Sequence, residues 1–228
     1  SITSIDVDGD GDFEIVMGSD EVYVWDSQGQ ELIDGDGNAQ TIGPITDMEA
    51  SFTPAGLTLY DLDGIPGMEI IVPERDSKKI HIFRWDGTEL DGWPQSSGGN
   101  WSWTVPAVGD VDGDGEPEIV VCNLKGQTLV WHVDGTELLD GDSNPSTNGI
   151  FFVRPNGTYE WGMSAPALFD LDGDGAKEII FGTKYGWSNQ NYLHALKFDQ
   201  TEAPGFPYAV GNGGSIVSSP AVGDLDND

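Results

Sequence analysis

The sequence predicts an all-β fold built from tandem four-stranded units. Three observations carry this. An acidic motif returns with starts at Asp6, Asp61, Asp110, Asp170 and Asp224, a repeat of about 55 residues. Each copy is flanked by short strand-like runs. Helical periodicity is absent, while 32 Gly and 13 Pro punctuate those runs.

The first unit, about 1–55, opens with "DVDGDGDFEIVMG". It places Asp6, Asp8, Asp10, Asp12 and Glu14 in nine residues and then turns apolar. Adjacent carboxylates repel unless something positive sits among them. A second strand, "VYVWD", follows. The second unit, about 56–104, repeats the order with "DLDGIPGMEIIV" and "HIFRWD", closed by the hairpin dipeptide Asp86-Gly87. The third, about 105–164, runs "TVPAVGD", "DVDGDGEPEIVV" and "LVWHVD", closed by Asp134-Gly135. The fourth, about 165–218, runs "SAPALFD", "DLDGDGAKEIIF" and "HALKFD". A fifth begins at 219–228 with "SSPAVGD" and "DLDND".

A longer period overlies the short one. Units one and three share "GQELIDGDGN" and "GTELLDGDSN". Units two and four share a Trp-Pro or Phe-Pro step and a matched histidine, His81 and His194. The pattern is A-B-A-B, a double unit of about 110 residues. The chain opens and closes at equivalent points of the repeat and reads as a window of a longer periodic array.

Asp6, Asp8 and Asp10 stand at positions 1, 3 and 5 of the first loop, with Glu14 at position 9. Gly9 and Gly11 permit the tight turn that gathers them. Oxygen ligands from one compact loop suit a hard cation, calcium with relaxed geometry before magnesium. The loop is not an EF-hand, whose position-12 glutamate is replaced by Met17, Val121 and Phe181 in the three full copies. Paired acids can also serve glycoside hydrolysis. An active site is usually unique, however, and these acids recur in every unit. A solvated acidic face would not need the interleaved glycines.

On this motif and its "SPA-V-G-D" flanks the chain resembles the FG-GAP/VCBS repeats, the blades of calcium-binding β-propellers such as integrin α-subunit heads and bacterial surface proteins. The resemblance implies ligands at positions 1, 3, 5 and 9 and a carbonyl at position 7. These are Asp6, Asp8, Asp10 and Glu14 with the carbonyl of Asp12, then Asp110, Asp112, Asp114 and Glu118 with that of Glu116. The fourth unit supplies Asp170, Asp172, Asp174 and Glu178 with the carbonyl of Ala176. The second unit departs: Asp61, Asp63 and Glu69 remain, but Ile65 and Pro66 replace the third aspartate and its glycine, leaving weak calcium binding or none. The fifth copy keeps Asp224, Asp226 and Asp228 without a position 9. Asp34, Asp36 and Asn38, and Asp140, Asp142 and Asn144, form either second metal loops or polar turns. The resemblance leaves a propeller, or part of one, beside an open stacked or fibrous array.

Forty acids against nine bases give a formal charge of −31, which repels nucleic acid and anionic membranes and favours cations. No run reaches membrane-spanning length. The single cysteine, Cys122, reads as a buried strand residue. His81, His132 and His194 form no triad pattern, and His81 and His194 read as packed strand residues. Trp101 and Trp161, five residues before equivalent prolines, read by their repetition as core, with Phe52 in the matching place of unit two. Their alternative is stacking on sugar rings. Asn100 and Asn156 begin glycosylation sequons. Two functions are expected. One is a non-catalytic, calcium-stabilised extracellular or cell-surface scaffold or adhesion module, assembling with copies of itself or with the rest of a longer chain. The other is an accessory glycan-binding module of a secreted carbohydrate-active enzyme. The partners expected are therefore other copies, a glycan or a surface protein.

Overall fold

The computed structural model describes residues 2–35, 37–38, 40, 43–46, 48, 56–99, 101–153, 160–162, 164–185, 190–212, 216 and 218–223. Four antiparallel sheets follow one another along the chain, and no described residue is helical. The first holds β1 (Ile2–Ile5), β2 (Glu14–Gly18) and β3 (Val22–Trp25). A segment at 43–45 takes the place of its fourth strand: Val24 N–H donates to the Gly43 carbonyl at 2.7 Å and Ile45 N–H to that of Val22 at 2.9 Å. The second holds β4 (Thr58–Tyr60), β5 (Glu69–Glu74), β6 (Lys79–Arg84) and β7 (Gln95–Ser96), and the third β8 (Ala107–Gly109), β9 (Glu118–Cys122), β10 (Gln127–Trp131) and β11 (Ile150–Val153).

The fourth sheet has five strands rather than the expected four: β12 (Glu160–Gly162), β13 (Ala167–Phe169), β14 (Glu178–Tyr185), β15 (Gln190–Leu196) and β16 (Tyr208–Asn212). The reason is length. Strand β14 runs eight residues, so β13 pairs along Glu178–Ile180 while β12 pairs further on, along Thr183–Tyr185.

Side chains alternate across a strand, so a central strand buried on both faces can serve two interfaces. Ile70 and Val72 of β5 meet Val16, Val22, Val24 and Ile45 of the first sheet. Ile71, between them, faces Ile119, Val121, Leu129 and Trp131 of the third. Val120, Cys122, Val130 and Phe151 then meet Ile179, Phe181 and Leu196 of the fourth. Each such fully buried side chain contributes roughly 1.5–3 kcal/mol. The sheets thus stack face to face like blades, and β8 lies beside both β4 and β13. The first and fourth sheets share no core cluster among the described residues, and the row is not closed.

The A-B-A-B alternation has a packing cause. One residue at or next to the end of β3, β6, β10 and β15 bridges to a glutamate six positions on: Trp25 to Glu31, Phe83 to Glu89, Trp131 to Glu137 and Leu196 to Glu202. In the A units that glutamate accepts a backbone N–H, Gly43 to Glu31 at 3.1 Å and Gly149 to Glu137 at 3.0 Å. Gly149 has φ +85°, and a Cβ there would lie 1.9 Å from Trp131 Nε1. In the B units the glutamate meets the histidine, His81 Nδ1 to Glu89 Oε1 at 2.7 Å and His194 Nδ1 to Glu202 Oε1 at 2.6 Å, and Glu202 also accepts the Ala195 N–H at 3.2 Å. Both histidines are strand residues packed against aromatic rings, His81 on Phe83 and His194 on Phe181. Cys122 is buried, and burial raises its thiol to about 12.

Trp101 departs from its expected place in the core. It is 39% exposed and stacks on Trp103, 47% exposed, with ring centroids 6.3 Å apart. The alternation of this stretch is set by its hydroxyls. Ser102 and Thr104 turn inward and donate to the Cys122 carbonyl at 3.3 and 2.8 Å, which turns the tryptophans out. The side chain of Trp161, and Phe52, Asn100 and Asn156, lie outside the described residues.

Candidate metal centres

Each acidic loop joins two adjacent strands of its sheet, β1–β2, β4–β5, β8–β9 and β13–β14, and the same register recurs. Glu14 pairs with Ile5, Glu69 with Tyr60, Glu118 with Gly109 and Glu178 with Phe169. Every one of these glutamates is buried. Its Oε2 accepts the N–H of the residue after the loop's first aspartate: Val7 at 2.8 Å, and Leu62, Val111 and Leu171 at 2.7 Å. The position-9 acid therefore ties the loop to the strand with one oxygen.

The first aspartate organises the turn. Asp110 accepts Gly113 N–H at 2.7 Å on Oδ1 and Gly115 N–H at 3.1 Å on Oδ2. Asp6 does the same with Gly9 and Gly11 at 2.7 and 3.0 Å, and Asp170 with Gly173 and Gly175 at 2.7 and 3.0 Å. Gly113 and Gly115 carry φ of +82° and +96°, a region that glycine enters without steric cost. In the second loop Asp61 takes only Gly64 N–H, at 2.8 Å.

The turns bring oxygens together. Ligand atoms within 4.8 Å of one another come from Asp6, Asp8 and Asp10; from Asp61, Asp63 and Glu69; from Asp110, Asp112 and Glu118; and from Asp170, Asp172 and Glu178. Asp114 lies outside its group and accepts Glu116 N–H at 2.8 Å. Asp12 and Ala176 each donate a backbone N–H within their loops, to Asp10 and Asp174. Asp140 and Asp142 both accept Asn144 N–H, and Asp142 also accepts the Thr147 hydroxyl at 2.9 Å. Asp34 and Asn38 flank Asp36, which with Asp224, Asp226 and Asp228 lies outside the described residues.

Electrostatics mark the glutamates. Burial raises all four above the ordinary carboxylate range, and the neighbouring aspartates add to it while the backbone N–H opposes. Glu118 is pushed up to about 7. The all-oxygen donor sets fit a hard cation. So does Glu178 Oε1, a buried oxygen without a hydrogen-bond partner among the described residues.

Sequence reasoning missed one position: the residue that follows the bridging residue Trp25, Phe83, Trp131 or Leu196. Lys197 places Nζ 2.5 Å from Asp172 Oδ2 and 3.0 Å from Asp174 Oδ2. Arg84 donates from Nε and a terminal nitrogen to Asp63 Oδ2 at 3.2 and 3.0 Å. His132 Nδ1 lies 3.2 Å from Glu118 Oε1, and the first unit has Asp26 there. The constant spacing to Glu31, Glu89, Glu137 and Glu202 is the signal that finds it. Neighbouring loops also touch: Met68 N–H donates to the Val7 carbonyl at 2.8 Å, and Lys177 N–H to that of Asp110 at 3.1 Å.

Stacked antiparallel sheets, each with an acidic loop between two paired strands, define an all-β repeat protein of propeller-like blades. Residues 67–121 match the family model of the FG-GAP-like repeat, consistent with a repeat of the FG-GAP/VCBS type, and copies of the same acidic motif lie outside that stretch. It is similar in fold to a crystal structure of BBS1N in complex with ARL6DN soaked with lead, at TM-score 0.52 and 12% identity. The likeness to the same complex soaked with mercury has TM-score 0.51 and 14% identity. Each match covers 94% of this chain and 54% of the other, so the chain spans about half the length of those solved chains. At such identities the likeness is one of fold alone. No curated protein matches the chain.

Proposed function

We propose that the chain is a non-catalytic, calcium-stabilised repeat scaffold of an extracellular or cell-surface protein, an adhesion-type module that associates with further blades of its own kind. One observation carries the reading: the same loop, with the same buried glutamate in the same register, stands in each of four sheets. A repeated cluster braces a repeated fold. In loops one, three and four the aspartates and position-9 glutamate would hold the ion, whose charge offsets the repulsion among them. FG-GAP repeats are typical of extracellular proteins, and no described helix is long and apolar enough to cross a membrane. Extracellular calcium modules bind at about 10⁻⁴–10⁻³ M, and ligand at about 100 times its dissociation constant adds about 2.7 kcal/mol per site. Calorimetric titration with calcium, beside melting curves with and without chelator, tests this. The melting temperature is expected to rise with calcium, and an unchanged one overturns the proposal.

Trp101 favours a second reading, the glycan-binding module. Its ring and that of Trp103 lie within 6° of parallel, and the Arg75 guanidinium stands 5.1 Å from the Trp101 centroid. Exposed parallel indoles offer apolar faces to a sugar ring, and the arginine offers donors to its hydroxyls. A glycan array probed with the intact chain and with Trp101→Ala decides it: no captured glycan, or capture unchanged by the substitution, removes this reading.

A further inference from the structure

We propose that Lys197 is a tethered competitor for the cation of the fourth acidic loop, so that the B loops hold a divalent cation more weakly than the A loops. The inference rests on the reading of these loops as calcium sites.

The backbone fixes the equivalence. Asp26 N–H donates to the Gln30 carbonyl at 2.8 Å, Arg84 to Thr88 at 2.8 Å, His132 to Thr136 at 2.9 Å and Lys197 to Thr201 at 2.8 Å. At one point of the repeat the A units therefore carry Asp26 and His132, and the B units carry Arg84 and Lys197. A permanent positive charge alternates with the packing alternation of the blades. By motif alone the fourth loop ranks with the first and third, because it keeps all four acids. Its surroundings separate it from them.

Lys197 reaches three of those acids: Asp172 and Asp174 at hydrogen-bond distance, and Glu178 Oε1 at 3.9 Å. The last contact is too long for a hydrogen bond. A single ammonium thus pairs with the two exposed aspartates, offsetting one of their two charges, and leaves the buried Glu178 oxygen without a donor. These are the oxygens that a divalent cation would need. A cation entering the fourth loop must first displace the ammonium and break two ion pairs, whereas the first loop has Asp26 at this position, turned onto its own turn to accept Gln28 and Gln30 N–H at 2.9 and 2.7 Å. The second loop repeats the arrangement, with Arg84 on Asp63 beside the lost third aspartate.

Calcium titration calorimetry on the intact chain tests this, with Lys197→Met removing the charge and Lys197→Arg keeping it. Lys197→Met is expected to tighten one site by roughly tenfold or more, the scale of removing one like charge from a partly solvated site. Lys197→Arg should titrate like the parent chain, and adding Asp170→Asn to Lys197→Met should abolish the gain, which locates it in the fourth loop. If the parent chain binds calcium and Lys197→Met leaves every affinity unchanged, the competitor is overturned while the calcium reading stands. If neither chain takes up calcium, both fall. The melting temperature of calcium-free Lys197→Met confirms folding, and the increase of that temperature on adding calcium, larger than in the parent chain, is the second readout.

Discussion

His132 meets Glu118 across the third acidic loop, Nδ1 to Oε1 at 3.2 Å, while the other glutamate oxygen holds the Val111 N–H at 2.7 Å. Both oxygens of a buried carboxylate are thus occupied, yet burial still pushes Glu118 up to about 7, with Asp112 adding to the shift. A group whose folded pKa lies above its ordinary 4.5 favours the protonated, folded form. Its contribution to stability is complete below the ordinary value and is lost as pH rises through about 7. Glu14, Glu69 and Glu178 move in the same direction. The calcium-free chain should therefore lose melting temperature between pH 4.5 and 7, and Glu118→Gln should flatten part of that slope. Saturating calcium should reverse the trend, because the ion needs the carboxylate. Melting curves across this range check it, and a Glu118→Gln slope identical to the parent's would remove Glu118 as the cause.

The loops should differ in what their first aspartate supports. Asp110 holds two glycine N–H groups and belongs to a full acid set, while Asp61 holds one and its loop has Ile65 in place of the third acid. Asp110→Ala is expected to lower stability in calcium by about 2–4 kcal/mol, from lost loop hydrogen bonds and lost ion. Asp61→Ala should cost about 1 kcal/mol. Chemical denaturation of both variants in millimolar calcium measures the difference, and equal losses would show the second loop to be a full site.

In the fourth sheet, Glu202→Ala should cost roughly 1–3 kcal/mol, because it leaves His194 Nδ1 buried without the carboxylate 2.6 Å away. The matching Glu89→Ala should cost less, since His81 keeps Glu74 on its other nitrogen at 3.0 Å. Denaturation midpoints compare the two directly. A larger loss at Glu89 would contradict the pairing.

Much of this was legible in the sequence because the repeat is carried by backbone chemistry. Glycines that enclose a turn and aspartates that cap it leave an unmistakable spacing, and the apolar run after Glu69, Glu118 or Glu178 marks a strand buried on both faces, while the run after Glu14 is buried on one. The loop-facing position was hidden by a two-residue shift. Aligning the strand ends on Asp26, Asp86, Asp134 and Asp199 pairs Trp25 with Trp85, whereas the bridge to Glu31 pairs it with Phe83. Unit one closes its turn with "DSQGQE" where unit two has "RWDGTE", so the aspartates are not equivalent. Trp101 escaped for another reason. Repetition of a tryptophan suggests a core role, but the inward direction there was taken by Ser102 and Thr104, whose hydroxyls serve a buried carbonyl.

The last prediction concerns association. Ile15, Met17, Tyr23 and Trp25 form the outer face of the first sheet, paired Ile15 to Trp25 and Met17 to Tyr23. By register they match Ile119, Val121, Leu129 and Trp131, the face with which the third sheet packs on the second. That partner surface, Ile71, Ile80, Ile82 and Trp93, is matched in turn by Ile180, Leu193, Ala195 and Phe206 on the outer side of the fourth sheet. The outer face of the first sheet is therefore the counterpart of one half of a joint that the molecule already contains, with Trp25 at the place from which Trp131 meets Trp93 at 5.7 Å, while Ile180 and Ala195 on the fourth sheet pack with the chain's own Val222. Ile15 is 40% exposed, and Phe13 beside it 64%. Such an apolar face favours association, and a head-to-tail joint propagates unless its rotation closes a ring. A charge of −31 on each chain opposes it, so bound calcium and salt should be needed. Light scattering is expected to show association that grows with calcium and reverses on chelation before the chain melts. Ile15→Lys should abolish it while leaving the stability to unfolding within about 0.5 kcal/mol of the parent's, as for an exposed substitution. A particle of monomer size at every calcium concentration would falsify this joint.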